Sequence, residues 1–182
     1  MENKLTAKGL LFSTTVLKVF DFLLQHPELQ LIDTEIAGRL ADVRKSAVNV
    51  ALRKLAEIGF VERTPRGNMT FNKLFDNPII DEFKILSNLM AINPLVERIK
   101  RHCMKIVTFG SRANGTHVSD SDFDILIVTS DDKKILSAIR KDPLAELIQP
   151  VIKSPEEMLS FSDDEPALYK EIKKGRVLWE AK

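Results

Sequence analysis

Apolar residues recur at intervals of three and four through the first sixty positions, which is the spacing of one face of an α-helix. This pattern predicts a helix over 14–25 with Ser13 as its N-cap, and a short second helix capped by Asp33 or Thr34. A third helix is predicted over 45–58, where a glycine follows. We therefore expect a three-helix unit at the start of the chain.

Two strand-like runs follow the third predicted helix. Residues 60–64 and 69–72 contain β-branched and aromatic side chains, and the Pro65–Asn68 segment between them has the composition of a tight turn. The two runs predict a β-hairpin, to which Arg66 and Gly67 give a basic, glycine-containing tip.

The pattern becomes helical again between Pro78 and Lys100, and Asn93-Pro94 interrupts it. Proline in a helix interior removes a backbone donor and clashes with the preceding turn. The sequence therefore predicts two helices here, and we expect them to bridge the two halves of the chain.

The last third of the chain alternates between strand-like and helical segments, which predicts a mixed α and β unit. The predicted strands cover 106–109, 123–128, 147–152 and 177–179, and the predicted helices cover 133–140 and 166–174. The expected fold class is α+β, with an N-terminal domain over 1–76, bridging helices over 77–102 and a mixed-sheet domain over 103–182.

Composition narrows the set of partners and sites. The 182 residues carry 27 Lys and Arg against 26 Asp and Glu, and this net charge of +1 gives no general attraction to nucleic acid or to an acidic membrane surface. Any DNA contact must therefore come from a local cluster. The single cysteine, Cys103, excludes an intramolecular disulfide, and we expect it to be a small buried apolar residue.

The hydrophobic runs are short. Residues 1–9 lack a continuous apolar region of signal-peptide length, and no later run approaches the ~18 apolar residues of a membrane span. We therefore expect a cytoplasmic protein that has no membrane partner.

A glycine and a serine, Gly110-Ser111, follow the first predicted strand of the C-terminal domain. Glycine lets the main chain approach a phosphate closely, and the Ser111 hydroxyl can donate a hydrogen bond to it. Residues 111–114 can open a short helix, whose first backbone N–H groups would face an anion. This turn is therefore predicted to hold a triphosphate.

Ten residues separate Ser111 from Asp122-Phe123-Asp124, which begins the next predicted strand. A period of two puts both carboxylates on the same face of the strand, and two carboxylates make a hard oxygen site suited to Mg²⁺. With substrate phosphates as further ligands, such a site supports in-line displacement at the α-phosphorus of a nucleotide. The alternative is a solvated, Asp- and Ser-rich turn over 119–122.

These segments, 109–115 and 121–125, resemble the signature of minimal nucleotidyltransferases in the DNA polymerase β superfamily. The resemblance covers about residues 103–179. It implies a polymerase β-like palm fold and transfer of a nucleoside monophosphate from a nucleoside triphosphate to an acceptor. It also suggests a helical partner protein that carries this acceptor.

The resemblance assigns roles to the motif residues. It implies that Gly110 and Ser111 contact the triphosphate of the incoming nucleotide, and Arg112 matches the motif beside them. It implies that Asp122 and Asp124 bind the divalent metals, Mg²⁺ or Mn²⁺, and are the catalytic carboxylates.

One position departs from the family pattern. The resemblance places a third carboxylate on a later strand, and the corresponding residue here is Gln149. A neutral amide cannot act as a general base, although its carbonyl oxygen can still bind a metal. Glu146 or a water molecule is then the alternative base. His117, within the motif loop, is expected at the surface.

The N-terminal order of three helices and a hairpin is that of a winged helix-turn-helix, with Asp33–Ile58 as its core. Residues 48–61 resemble the recognition helix and the start of the wing in bacterial and archaeal regulators. In a DNA complex, polar side chains of the third helix would face the major groove and those of the wing would meet phosphates. These side chains are Lys45, Ser46, Asn49 and Arg53 on the helix, and Arg63 and Arg66 on the wing. The alternative is a winged helix that docks a protein.

Two hypotheses about function follow. The first is a Mg²⁺-dependent nucleotidyltransferase that is coupled to a winged helix bound to duplex DNA. The second is a DNA-binding regulator or antitoxin-like protein whose transferase domain senses nucleotide. The intact Gly-Ser and Asp-x-Asp pairs favour the first hypothesis, whereas Gln149 favours the second.

Overall fold

The structure, a computed structural model, describes Lys8 and residues 11–181. The sequence predicts that residues 1–9 contain no apolar leader. Of these residues, all except Lys8 lie outside the described part of the chain. The chain divides into two compact units, 1–87 and 88–182. The fold class is α+β, as predicted.

The first unit contains the three helices and the hairpin that the sequence predicts. The helices are α1 (Thr15–Gln25), α2 (Asp33–Arg39) and α3 (Lys45–Glu57), and the strands are β1 (Leu31–Ile32), β2 (Val61–Arg66) and β3 (Met69–Leu74). The strands form one antiparallel sheet in the order β1-β3-β2. Helices α1 and α3 bury residues such as Leu23 and Leu52 at the predicted helical spacing.

Two predicted N-caps are wrong by one residue. Thr14 caps α1, because its hydroxyl accepts a hydrogen bond from the Leu17 backbone N–H at 3.4 Å. Helix α2 has Ile32 as its N-cap, and the backbone N–H of Ile32 donates to the Glu35 carboxylate at 2.8 Å. The Asp33 carboxylate does not cap this helix, since it accepts hydrogen bonds from side chains of other elements.

The hairpin turn is also tighter than predicted. Strand β2 continues through Pro65, which pairs with Thr70, and only Gly67 and Asn68 separate the two strands. Strand β2 lies at the edge of the sheet, where proline is tolerated because its missing N–H needs no partner strand.

A single helix, α4 (Pro78–Ile99), replaces the two predicted helices, and the boundary between the units falls within it. Pro94 lies inside this helix. Its cost of about 3 kcal/mol is opposed by the burial of Ile92, Leu95 and Ile99, which are at most 2% exposed. Each such side chain contributes roughly 1.5–3 kcal/mol when buried, so packing outweighs the local propensity.

The second unit is built on a four-stranded mixed sheet. Its strands are β4 (Lys105–Phe109), β5 (Phe123–Val128), β6 (Ile148–Lys153) and β7 (Arg176–Glu180), in the order β6-β5-β4-β7. Strand β5 is antiparallel to β4 and parallel to β6, and β7 is antiparallel to β4. The helices are α5 (Gly110–Asn114), α6 (Asp132–Arg140), α7 (Glu157–Asp164) and α8 (Pro166–Lys173), of which α7 was not predicted.

Both faces of this sheet are covered. Ile125 and Ile127 of β5 pack in one apolar cluster with residues of α4 and α6, whereas Leu126 and Val128 pack in another with Phe161 of α7 and a residue of α8. Coverage on both sides explains the continuous apolar run of β5. Because side chains alternate along a strand, Asp124 lies on the Leu126 face.

No helix within the described residues is both long and apolar enough to span a bilayer. Cys103 is buried, as expected, and burial raises the pKa of its thiol to about 11.

Candidate active site

The turn between β4 and α5 is formed by Gly110, whose φ of +73° is in the left-handed region that favours glycine. Helix α5 has only five residues, and Gly115, with a φ of +75°, is its C-cap. The carbonyl oxygen of Ser111 accepts a hydrogen bond from the Thr116 N–H at 3.0 Å, which closes this short turn. The predicted short helix after Gly110 is therefore present.

The side chain of Asp124 lies directly against Gly110. A Cβ atom added at position 110 would collide with Oδ2 of Asp124 and lie 3.0 Å from its Cγ. Phe109 and Asp124 are register partners on β4 and β5, so the sheet holds the start of β5 beside the end of β4. The antiparallel pairing thus brings the glycine turn and the second aspartate together.

Asp122, one residue before β5, acts electrostatically on Asp124. Burial raises the pKa of the Asp124 carboxyl, and the negative charge of Asp122 raises it further. Both carboxylates are half-buried. Two like charges that interact in this way are unfavourable without a cation, and a carboxyl perturbed by burial and by a neighbouring charge, as Asp124 is, is typical of a functional site.

Gln149 lies beside Asp124. The two residues are register partners on the parallel strands β5 and β6, and Gln149 is exposed. The neighbouring side chain on this edge of the site is therefore a neutral amide. No group of three or more His, Cys, Asp or Glu side chains that could hold a metal occurs within residues 11–181.

The carboxylates of Asp122 and Asp124, beside the turn at Gly110, fit a hard divalent cation. They offer oxygens whose mutual repulsion a cation would relieve, beside a turn with no Cβ in the way. Mg²⁺ in proteins is commonly bound by one or two carboxylates together with water and substrate phosphates. These residues suit a cation whose remaining ligands come from substrate. They do not suit a structural metal whose ligands are all protein side chains.

Arg112 is buried behind the turn, at 3% exposure. Its guanidinium donates to the carbonyl oxygens of Ser121 at 2.7 Å and Ser119 at 3.4 Å, and it stacks on the Phe123 ring at 4.5 Å. Burial lowers the pKa of Arg112, and the charge of Asp122 opposes this shift. These contacts hold the loop that carries Asp122; a direct role of Arg112 in nucleotide binding stays a prediction.

Two residues of this network were not predicted. Asn88, on α4, accepts a hydrogen bond from Arg112 at 3.1 Å and donates to the Arg112 carbonyl oxygen at 3.0 Å. Its amide nitrogen lies 3.2 Å from Nδ1 of His117. The expectation of a surface His117 is wrong, because this side chain is 2% exposed. The sequence did contain one signal for Asn88, which is a polar side chain within a helical segment that is mainly apolar.

In the first unit, the six predicted DNA-contacting residues fall into two groups. Four of them are exposed, namely Lys45, Ser46, Arg53 and Arg66. Asn49 and Arg63 are partly buried. Arg66 stacks on the Phe71 ring at 5.3 Å.

Asn49 and Arg63 are joined through Asp33. The Asn49 amide donates to the Asp33 carboxylate at 2.5 Å, and Arg63 forms an ion pair with it at 3.4 Å. Arg63 also donates to the buried Asn72 at 2.9 Å, and Asn72 donates to Asp33. This network links α2, α3 and the hairpin, so these two side chains have structural partners within the fold.

Comparison with known proteins agrees with the second unit. Residues 92–178 match the family described as nucleotidyltransferase domain, and the match covers a little under half of the chain. It assigns a nucleotidyltransferase domain to this region.

No curated protein matches the chain. Among solved structures, a candidate nucleotidyltransferase from Sulfolobus solfataricus is similar to it at 17% identity and a TM-score of 0.35, over 55% of this chain and 86% of that one.

Proposed function

We propose that this protein transfers a nucleoside monophosphate from a nucleoside triphosphate to an acceptor, in a reaction that needs a divalent metal. The observation that carries the proposal is the contact between the Asp124 carboxylate and Gly110, with the charge of Asp122 acting on the same group. The match of residues 92–178 to the nucleotidyltransferase domain supports the same reaction class.

Each motif residue has a role in this proposal. Asp122 and Asp124 hold Mg²⁺ or Mn²⁺, which neutralises phosphate charge when bound. The Gly110 main chain and the Ser111 hydroxyl bind the triphosphate. An acceptor oxygen forms a bond to the α-phosphorus, the bond to the β-phosphate oxygen breaks, and pyrophosphate leaves. Because Gln149 cannot take the acceptor proton, that proton passes to water.

The decisive experiment uses α-labelled nucleoside triphosphates, Mg²⁺ and cell extract with the full chain. We expect the wild type to transfer label to an acceptor. The double variant Asp122→Asn, Asp124→Asn should transfer none. A matched control is Asp163→Asn, Asp164→Asn, which removes two exposed carboxylates of α7. Equal labelling by the wild type and the motif variant would reject the site.

The first unit is proposed to be a winged helix-turn-helix that binds duplex DNA through α3 and the hairpin. Its element order and the exposed Lys45, Arg53 and Arg66 support this proposal. In this proposal these three cations supply the local positive charge that DNA binding by a chain of net charge +1 requires. Domains over 1–76 and 103–182 then have separate roles in targeting and chemistry.

A second candidate function is that of a DNA-binding regulator, or an antitoxin-like protein, that senses nucleotide without turning it over. The neutral Gln149 beside Asp124 favours it, since the site then lacks a carboxylate that takes a proton from the acceptor. Nucleotide binding without label transfer, in the experiment above, is the result expected for a sensor.

A further inference from the structure

The second unit contains a cavity of about 610 Å³ that lies between helix α6 and the C-terminal end of helix α4. Neither Gly110 nor Asp124 lines it. Cationic side chains dominate its lining. They are Arg98, Arg101, Lys134 and Lys141. His102 also lines the cavity, and no Asp or Glu does. Since acidic and basic residues are nearly equal in the whole chain, this separation of charge is local.

Three of these cations are not neutralised by ion pairs. Arg98 pairs with Asp142, a buried carboxylate. No carboxylate within the described part of the chain lies within ion-pairing distance of Arg101, Lys134 or Lys141. A concave surface lined by one sign of charge concentrates an oppositely charged ligand.

The cavity is of the size that a small molecule occupies. Ala138, which is partly exposed, lies among the cations, whereas Ile99 and Ile135 behind them are at most 2% exposed and offer a ligand almost no surface. Its volume is within the range of small-molecule sites, which are typically lined by apolar side chains with a few placed polar groups. The accessible side chains of the cavity are therefore mainly cationic, which suits a phosphate group.

This cavity is separate from the proposed transferase site. Ile99 and Ile135 belong to the apolar cluster on one face of the sheet, whereas Asp124 lies on the other face. The Thr129 hydroxyl, just after β5, donates to the His102 carbonyl oxygen at 2.6 Å. At ~3.3 Å per residue, Asp124 and Thr129 are about 16 Å apart along β5.

We propose that this cavity binds a phosphate monoester, whose phosphate meets Arg101, Lys134 and Lys141. Guanidinium and ammonium groups are the side chains that recognise phosphate. A free nucleotide and the 5′-phosphorylated end of a nucleic acid strand both supply this chemistry.

The test uses the full chain carrying Asp122→Asn and Asp124→Asn, in EDTA, so that the proposed transferase site does not contribute. One probe is a fluorescent derivative of AMP, and the other is a 5′-phosphorylated, 3′-labelled single-stranded RNA hexamer. We expect one or both to bind at low salt. The triple change Arg101→Gln, Lys134→Gln, Lys141→Gln is expected to raise the Kd by about tenfold or more.

The matched control removes three lysines of α8 and its C-terminal end, Lys170→Gln, Lys173→Gln, Lys174→Gln, and is expected to change the Kd by less than about twofold. Ser137→Trp fills the cavity without changing its charge and should weaken binding to a similar extent as the loss of the cations. Binding of the AMP probe identifies a free nucleotide, and binding of the hexamer alone identifies a strand end. Absence of binding by both probes, or equal weakening by both triple variants, overturns the proposal.

Discussion

The carboxylate of Asp124 occupies the space that a side chain at position 110 would need. Residue 110 must therefore be glycine for two independent reasons, its φ of +73° and the proximity of Asp124. The glycine of the motif is thus tied to the aspartate fourteen positions later in the chain.

Gly110→Ala is expected to destabilise the fold by roughly 1–3 kcal/mol and to abolish Mg²⁺ binding, because the new methyl group displaces the Asp124 carboxylate. The control is Gly59→Ala. Gly59 has a φ of +75° but no atom within 4 Å of an added Cβ, so this change brings the backbone strain alone. Thermal unfolding and Mg²⁺ titration measure the two effects. A Gly110→Ala protein that binds Mg²⁺ like the wild type contradicts the role of this contact.

Asp124→Asn is expected to stabilise the metal-free protein by ~1 kcal/mol at neutral pH, because it removes a half-buried charge that interacts with Asp122. The pKa of Asp124 is raised in the folded state. The unfolded chain therefore loses this proton first, and stability falls as pH rises from the ordinary carboxyl range through the raised pKa.

The free energy of unfolding, measured against pH, should then show a decline in the wild type that Asp124→Asn lacks, with the two proteins converging near about pH 3. Added Mg²⁺ should raise the Tm of the wild type and leave that of the variant unchanged. A wild type that is more stable than the variant at pH 7 without metal would contradict the repulsion between the two aspartates.

Arg112→Met is expected to cost about 3 kcal/mol of stability and to weaken Mg²⁺ binding, although Arg112 is not a proposed metal ligand. The reason is the loss of its hydrogen bonds to the carbonyl oxygens of Ser119 and Ser121, which hold the loop before Asp122. Arg140→Met, at an exposed position on α6, is the control. If Arg112→Met lowers the Tm but leaves Mg²⁺ affinity intact, the loop does not depend on this contact to position Asp122.

Gln149→Asp is expected to raise Mg²⁺ affinity by about tenfold, since it adds a carboxylate beside Asp124 on the adjacent strand. Without metal the same change should lower stability, because a further negative charge joins the pair. Gln149→Asn keeps a neutral amide and serves as the control. An unchanged Mg²⁺ titration for Gln149→Asp would show that position 149 does not face the metal.

In the first unit, neutralising Lys45, Arg53 and Arg66 together is expected to weaken binding to duplex DNA by about tenfold and to reduce its salt dependence. Arg63→Gln should instead lower stability, because Arg63 pairs with Asp33 and Asn72. Lys73→Gln is a control at an exposed strand position. Duplex binding by the full chain, measured at two salt concentrations, tests both statements. No binding at low salt rejects the DNA-binding proposal.

The predicted elements agree with the structure where one short segment contains the whole signal. The periodicities of α1, α3, β4 and β5 are local, and each of these elements lies within one or two residues of its predicted bounds. The prediction of two helices separated at Asn93-Pro94 is wrong, since the structure has the single helix α4. Local propensity contains no information on the burial of Ile92, Leu95 and Ile99 against other elements. Burial of that kind depends on partners far along the chain.

The candidate site divides in the same way. Gly110, Ser111, Asp122 and Asp124 were predicted from residue types and spacing, since phosphate and metal chemistry restrict which side chains are suitable. The sequence did not reveal that Asn88 and Arg112 brace the loop or that His117 is buried with them. These contacts join α4 to a loop more than twenty residues away.

The sequence by itself determined the chemical character of this protein: a glycine turn, two carboxylates at strand spacing and a neutral glutamine. Tertiary structure decided the register that sets Asp124 beside Gly110 and Gln149, and the basic cavity between α4 and α6. The physical reason is that spacing along a chain fixes which side chains share a face of one element. Only the packing of several elements fixes which faces meet.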